Sequence, residues 1–245
     1  MSIGELLQQL NDFGSVTTAK ALNSYQRALP DKIYNASKLE GSTITYAQTI
    51  SMIEQNKIGG SVVAAKDIID LINLKRTWQY FIAIVFDETL STDLSLMKKF
   101  HIKLMLNSMT IDFDEAGVLR KNPVNITGSY FKPDIPNNDQ EIEAELSEIV
   151  VSFKCPIERA VEIYLWGMRR QIFEDGNKRT SNFMANFELI KNRIGFISVP
   201  EDRIEEFRLQ IIYFYETNDK LPLKEFLLKS AVHPFANGCL PLDRL

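Results

Sequence analysis

Apolar residues recur at intervals of three and four along most of the chain, which predicts a succession of amphipathic helices. The clearest stripe follows Pro156, a residue suited to the first turn of a helix, and consists of Ile157, Ala160, Val161, Tyr164, Leu165 and Met168. Comparable stripes predict helices over about 62–86, 91–105, 139–153, 181–190, 200–215 and 223–232.

Local signals place several helix ends. Thr45 and Gln48 have the spacing of a capping box, and the glycines at 59–60 suit the end of the helix that this box begins. The polar run 91–93 supplies side chains that can cap the third helix. The sequence therefore predicts a mostly α fold.

One region breaks this helical rhythm. Val124 and Ile126 alternate with polar residues, a turn-forming Thr127-Gly128-Ser129 follows, and Tyr130 and Phe131 come next. Alternation on both sides of a glycine turn predicts a β-hairpin. The predicted architecture is a helical bundle with one small hairpin. The chain shows no internal repeat and no linker that would separate two domains.

Composition narrows the possible partners. The 245 residues are 45% hydrophobic and carry a net charge of −4, so the chain can build a core and lacks the basic excess of a binder of nucleic acid or anionic membrane. The most apolar window, 80–86, is too short to span a bilayer. With isolated cysteines (Cys155, Cys239), no metal-ligand spacing and no leader-like N-terminus, we expect a cytoplasmic protein.

Residues 171–181 carry the chemistry. A glycine turn at Gly176 precedes a predicted helix, whose first amides and positive dipole end can bind an anion. Lys178 and Arg179 add phosphate donors, and Asp175 can supply an oxygen to Mg²⁺. The spacing alone fits an ordinary charged turn at a surface helix equally well, because short motifs have many false positives.

The same residues resemble the motif of the Fic/Doc (Fido) family, His-x-Phe-x-Asp/Glu-Gly-Asn-Gly/Lys-Arg, with matches at Phe173, Asp175, Gly176, Asn177, Lys178 and Arg179. The likeness covers about 36–232. Within it, 124–131 is similar to the target-binding flap of the family and 160–170 to the helix before the motif. The resemblance implies a stand-alone, bacterial-type Fic bundle, with an N-terminal helical region over 1–60 and a Fic core over 61–245 packed as one unit.

Such a resemblance implies transfer of AMP from ATP, with Mg²⁺, to a hydroxyl of a target protein. Asp175 would then bind Mg²⁺, and Arg179 would reach the β-phosphate. The other nucleotide-binding positions would be Phe173, Gly176, Asn177 and Lys178. The target protein would dock on the flap at Val124, Ile126 and Tyr130 through strand-like main-chain bonds. The sequence leaves the oligomeric state open, homo-oligomers included.

The departures from the motif matter as much as the matches. Gln171 stands where the family has its catalytic His, and an amide cannot act as a general base, whose loss costs about 10²–10⁴-fold in rate. Glu174 is the nearest other candidate for a general base by sequence, but we expect its carboxylate to point away from the site. Gln171 could also orient a hydroxyl and allow slow transfer. Three hypotheses follow: a crippled adenylyltransferase, a non-catalytic module that binds nucleotide and peptide, or a Doc-like phosphotransferase.

Residues 36–41 resemble the inhibitory helix of the family, with Glu40 as the inhibitory residue. In relatives this Glu pairs with an Arg that is Asn182 here, so we expect no such ion pair and a weaker grip on the γ-phosphate. The alternative is that Glu40 simply ends a helix before Gly41. His101, on an apolar helix face, is predicted to be a hydrogen-bonded core residue, and His233 to belong to a C-terminal tail that copies the motif by coincidence.

Overall fold

α-Helices follow one another along the chain in the computed structural model, which describes residues 1–59 and 62–245. Their bounds are α1 Ile3–Asp12, α2 Thr18–Leu39, α3 Tyr46–Gln55, α4 Ala65–Ile84, α5 Leu94–Leu104, α6 Asp139–Ser152, α7 Pro156–Arg170, α8 Asn177–Lys191, α9 Ile204–Thr217 and α10 Leu221–Phe226. A π-helical stretch, Leu227–Ala231, continues α10. The mostly α prediction is confirmed.

The predicted helix starts are found where the capping residues stand. Thr45 Oγ1 accepts the N–H of Gln48 at 3.3 Å, and the Gln48 side chain accepts the N–H of Thr45 at 2.9 Å. Asp93 caps α5 in the same way, through the N–H of Leu96 at 2.8 Å. The end of α3 was predicted too late, because Asn56 already adopts the left-handed conformation that stops the helix. Of the predicted stop at 59–60, Gly60 lies outside the described residues, as does the predicted domain boundary at 60/61.

The pair α7–α8 forms the centre of the molecule. A Cβ on Gly167 of α7 would lie only 2.1 Å from Ser181 Oγ on α8, so glycine permits the close approach of the two helices. One core lies on the α2, α4 and α5 side of this pair and includes the rings of Trp78, Phe81 and Phe100. The other core lies against α1, α9 and α10. α8 contributes residues from position 183 onward to both cores, so the body of the helix is packed on two sides.

The fold contains one small antiparallel sheet, but not at the predicted position. Strand β1, Gly195–Ile197, pairs with β2, Val232–Pro234, with Phe196 opposite His233. Residues 124–131, all of which are described, form no strand. Only the turn of the predicted hairpin is present, with Ser129 N donating to Ile126 O at 3.1 Å and Gly128 at φ +82°.

Side chains bond to backbone groups of the flap, defined here as residues 120–134. The buried Arg120 guanidinium donates to the carbonyls of Asn122 and Asp134, both at 2.7 Å. Farther along, Glu216 of α9 accepts the N–H of Tyr130 at 2.7 Å. The bond from Tyr130 occupies an N–H within the predicted hairpin, whereas the Arg120 bonds lie at the base of the flap, outside the hairpin. The flap is therefore an extended loop anchored at its base and near its tip.

The His233 segment is a buried strand rather than a tail. The two ring nitrogens of His233 each lie 2.9 Å from a carbonyl oxygen, that of Cys239 and that of Ser198, and its ring stacks on Phe196. His233 therefore has a structural role, and its likeness to the motif is coincidental. Within residues 1–59 and 62–245, no helix has both the length and the apolar character of a bilayer span.

Candidate functional site

The first turn of α8 carries backbone amides that no side chain caps. Gly176 occupies the N-cap position at φ +75°, and no side chain caps the helix. The N–H groups of Asn177, Lys178 and Arg179 lie in the first turn, where the helix itself provides no acceptor. A Cβ at position 176 would lie 2.7 Å from Met105 Sδ, so both the conformation and the packing require glycine. This arrangement is the amide cradle expected from the sequence.

The Asn177 side chain holds the preceding turn, residues 171–176, called the motif turn below. Its Oδ1 accepts the N–H of Phe173 at 2.9 Å, and its Nδ2 donates to Phe173 O at 2.7 Å and to Gln171 Oε1 at 3.0 Å. Phe173 is fully buried and stacks on the His101 ring at a centroid distance of 3.8 Å. Both residues thus support the turn from behind. Because both side chains are engaged within the protein, the group left for a ligand is the backbone N–H of Asn177.

His101 fixes the same turn from α5, and its prediction as a hydrogen-bonded core residue is confirmed. Nδ1 accepts the N–H of Gly117 at 2.8 Å, so Nε2 carries the proton and donates to Asp175 O at 2.9 Å. Burial lowers the pKa of His101 to about 4, and this outweighs the opposing hydrogen bond to Asp175. The ring is neutral at physiological pH and is positioned to orient Asp175.

The Asp175 carboxylate is held on both oxygens. Oδ1 accepts the N–H of Gly176 at 2.6 Å, and Oδ2 accepts the Thr110 hydroxyl at 2.6 Å and lies 3.4 Å from Nη2 of Arg179. In the part of the chain that the structure describes, no three His, Cys, Asp or Glu side chains cluster as a metal cage would require. Asp175 can therefore contribute one carboxylate to a cation whose other ligands come from elsewhere.

Arg179 is 6% exposed and is surrounded by carboxylates. Its guanidinium nitrogens lie 3.2 Å from Asp70, 3.4 Å from Asp175 and 3.9 Å from Glu40. Burial acts to lower the pKa of Arg179, but Glu40, Asp175 and Asp70 together raise it above its ordinary value. Asp70 of α4 was not predicted, because no local pattern links it to a residue so far along the chain.

Glu40 enters the same site from the end of α2. Its Oε1 lies 3.2 Å from Lys178 Nζ and its Oε2 lies 3.9 Å from Arg179 Nε. Burial acts to raise the pKa of Glu40, but Lys178 and Arg179 outweigh this effect and lower the pKa to about 2. As expected, Glu40 forms no ion pair with position 182, but it pairs with Lys178 and Arg179 instead, which the sequence did not indicate. The partners lie in the first turn of α8, one turn before Asn182, whose Oδ1 instead accepts from Asn186 at 3.0 Å.

Glu40 stands at a helix end, as the alternative interpretation predicted. Gly41 adopts φ +79°, its N–H donates to Lys38 O at 3.0 Å, and Ser42 N donates to Ser37 O at 3.1 Å. These two bonds form the Schellman motif that ends a helix. Glu40 therefore ends α2 and, from that fixed position, extends its carboxylate toward α8.

Gln171 is engaged at both ends of its amide. Nε2 donates to Met168 O, and Oε1 accepts from Asn177. Its backbone is left-handed, at φ +50°, and its carbonyl accepts from Nε of the buried Arg120. Arg120 thus ties the base of the flap to the motif turn, a link that the sequence did not indicate. The Gln171 side chain is an amide and therefore has no basic group to offer a target hydroxyl.

A cleft of about 640 Å³ lies over these groups. Its walls contain most of the predicted site residues: Val124 and Ile126 of the flap, Gln171, Asp175, Gly176, Asn177, Lys178 and Glu40. Phe173, Arg179 and Tyr130 are not among them, and Tyr130 is 92% exposed. Glu174 does line the cleft, contrary to expectation, with Asn122 Nδ2 3.5 Å from its Oε1.

The fold is that of Fic-domain proteins. A Fic domain-containing signalling protein from Bacteroides thetaiotaomicron superposes with a TM-score of 0.73 at 18% identity, over 96% of this chain and 93% of that one. Fic-1 from C. elegans gives 0.76 at 18% identity, over 93% and 68%. A Fic family protein from Desulfovibrio desulfuricans gives 0.67 at 16%, over 91% and 70%. No family model and no curated protein matches the sequence.

Proposed function

We propose that this chain is a Fic-type protein that binds the polyphosphate of a nucleoside triphosphate, ATP by resemblance, at the N-terminus of α8. Glu40 restrains that binding, and Gln171 leaves the site with little or no capacity to transfer AMP. The observation that carries the proposal is the convergence, in one cleft, of the free α8 amides, Asp175, Lys178 and the two flap positions Val124 and Ile126.

The donor set suits a phosphate chain. Amides at a helix start, an ammonium and a guanidinium are the groups that proteins use for phosphate. Arg179 has an unsatisfied Nε, which is a donor without an acceptor in the described structure. Asp175 is a single carboxylate with an exposed fraction of 37%, which suits Mg²⁺ because this ion binds through one or two carboxylates together with substrate phosphates. Bound there, Mg²⁺ would neutralise phosphate charge.

Weak catalysis follows from the engagement of Gln171. An amide that donates to Met168 O and accepts from Asn177 is held away from proton transfer. Three carboxylates line the cleft. Among the described residues Glu40 and Asp175 form ion pairs, and Glu174 forms none. A positioned base contributes about 10²–10⁴-fold to rate, so binding would persist while transfer falls by about that factor.

Glu40 occupies the cations that the phosphates would need. Its carboxylate contacts Lys178 and Arg179, so nucleotide must displace it or bind with both cations shared. Autoinhibition by Glu40 is thus retained through different partners from those in the family motif. The flap would hold a segment of a target protein above the cleft, with Val124 and Ile126 facing it and the exposed Tyr130 available beside it.

The first experiment is calorimetric titration of ATP, with and without Mg²⁺, into the wild type and the Glu40→Gln variant. We expect weak binding to the wild type and about tenfold tighter binding to the variant, since tenfold corresponds to about 1.4 kcal/mol. Glu54→Gln, a change at an exposed carboxylate on α3, is the matched control. The absence of binding to every variant at millimolar ATP would contradict the proposal.

The second experiment tests chemistry with α- and γ-labelled ATP and a lysate of candidate targets. We expect no transfer by Glu40→Gln alone and transfer of the α-label by Glu40→Gln combined with Gln171→His. Strong α-labelling by the unmodified protein would overturn the impairment. Transfer of the γ-label would instead indicate the Doc-like reaction, in which the terminal phosphoryl group moves.

A further inference from the structure

A second, smaller cavity of about 20 Å³ lies beside the cleft, between α2, α4, α7, α8 and β1. The cavity and the cleft share three wall residues: Leu39, Glu40 and Lys178. Glu40 and Lys178 are joined by their ion pair. The contact that closes the phosphate site is therefore also the partition between the two spaces.

Lys32 lines this cavity and is 3% exposed. Its Nζ has one hydrogen-bond acceptor, Asn186 Oδ1 at 3.0 Å, and lies 4.0 Å from the Phe196 ring centroid and 4.7 Å from that of Trp78. No carboxylate of the described residues forms a salt bridge with it. Burial lowers the pKa of Lys32 well below its ordinary value, slightly opposed by Cys239. The Lys32 amino group therefore has a neutral acceptor and no counter-charge among the described residues.

Two other donors of the cavity wall lack a hydrogen-bond acceptor. Trp78 Nε1 and Arg179 Nε are buried and unpaired in the part of the chain described. Buried polar groups in folded proteins are almost always hydrogen-bonded, so two orphan donors around one space indicate a missing acceptor. Of the carboxylates that the structure describes, only Glu40 lies on the wall of this cavity. The cavity is therefore rich in donors and suited to an anion.

The size of the cavity decides when an anion can enter. About 20 Å³ accommodates one or two waters and is too small for a phosphate group. Withdrawal of the Glu40 carboxylate would remove the partition and join this space to the cleft of about 640 Å³. A phosphate chain lying over Lys178 and Arg179 could then extend into the donor-rich space behind them.

We infer that the Lys32 amino group donates to the terminal phosphate of a nucleoside triphosphate once Glu40 has withdrawn, and that it sets the preference for tri- over diphosphates. The inference rests on the proposed function. α2 carries both groups, Lys32 two turns before Glu40, so one helix closes the site and completes it. Asn182, on the same cavity wall, is uncharged and leaves the contact with the terminal phosphate to Lys32.

The test compares ATP, ADP and AMP affinities of Glu40→Gln with those of Glu40→Gln combined with Lys32→Met. Methionine keeps the length of the side chain and packs well among aromatic rings. We expect the ratio of ATP to ADP affinity to fall about tenfold, as loss of one charge-assisted hydrogen bond implies. ADP and AMP affinities should change less than about twofold, because their phosphates end before the cavity.

Lys20→Met, an exposed change at the start of the same helix, is the control and should leave all three affinities unchanged. Urea unfolding checks that Lys32→Met folds, and Lys32→Gln replaces it if it does not. Equal loss of ATP and ADP affinity, or an unchanged ratio, would overturn the role of Lys32 while the proposed function stands. If Glu40→Gln binds no nucleotide at all, the proposed function itself fails.

Discussion

Lys178 Nζ lies 3.2 Å from Glu40 Oε1, an ion pair that joins the end of α2 to the start of α8. A carboxylate at the C-terminal end of its own helix is poorly placed, since the helix dipole is negative there. At the same point the positive end of α8 faces it, together with Lys178 and Arg179. The Glu40 carboxylate thus supplies, from inside the protein, the kind of negative charge that a phosphate would bring.

The first prediction concerns the pH dependence of this contact. Glu40 has an ordinary pKa of 4.5 and a folded pKa of about 2, so its stabilisation is complete above about 4.5 and is lost as the pH falls toward 2. We expect the wild type to exceed Glu40→Gln in free energy of unfolding by roughly 1–3 kcal/mol above about pH 5, with the difference shrinking below that. Urea unfolding at a series of pH values measures it.

Glu54→Gln, at an exposed position, should show no such convergence with the wild type. A difference between wild type and Glu40→Gln that stays constant down to pH values of about 3 would mean that the carboxylate does not depend on the two cations.

The second prediction is that His101 stays neutral far into the acid range. Its pKa is lowered from 6.5 to about 4, so the unfolded chain binds the proton first, and the stability due to the neutral ring is lost as the pH falls from 6.5 toward 4. NMR titration of the imidazole, assigned with His101→Gln, should show no midpoint near 6.5. Such a midpoint would mean that Nδ1 does not accept from Gly117.

The helices of the central bundle could be predicted because each has a local signal. Pro156 begins α7 and Asp93 caps α5 within one turn of the residues that they serve. The uncapped amides at the start of α8 could be predicted for the same reason, since Gly176 and the first turn of α8 are adjacent in sequence. Periodicity and capping are local properties, and local structure follows from them.

Contacts between distant segments could not be predicted in this way. Arg179 meets Asp70 across 109 positions, and Arg120 meets Gln171 across 51. No sequence pattern around Arg120 indicates that its guanidinium donates to backbone carbonyls at the base of the flap. The partners of Glu40 were missed because a family pattern suggested Asn182, whereas the geometry of the α2 end directs the carboxylate one turn earlier.

The third prediction concerns Arg120, which is 2% exposed and donates to the carbonyls of Gln171, Asn122, Pro133 and Asp134. Arg120→Met would leave these acceptors unpaired, and we expect a loss of about 2–4 kcal/mol in the free energy of unfolding. Limited proteolysis should then cut within the flap at lower protease concentration.

Arg76→Met, at an exposed position on α4, is the matched control and should change stability by less than about 0.5 kcal/mol. If Arg120→Met is as mild as this control and the flap remains resistant, the guanidinium does not anchor the flap.

The last prediction separates two requirements for glycine at the start of α8. Gly14 and Gly176 both have positive φ, at +69° and +75°, but an added Cβ meets nothing within 4 Å at Gly14 and lies 2.7 Å from Met105 Sδ at Gly176. We expect Gly14→Ala to cost about 1 kcal/mol of unfolding free energy through conformation alone, and Gly176→Ala about 2–4 kcal/mol because overlap is added.

A double-mutant cycle with Met105→Ala checks the cause, because removing the thioether should relieve the overlap and make the two changes less than additive. Strict additivity would show that Met105 moves aside at no cost. Gly176→Ala should also weaken ATP binding by Glu40→Gln, whereas Gly14→Ala should not, since only the first displaces the amides at the start of α8 from a phosphate. Equal affinities for the two alanine variants would contradict the placement of the phosphate at this helix end.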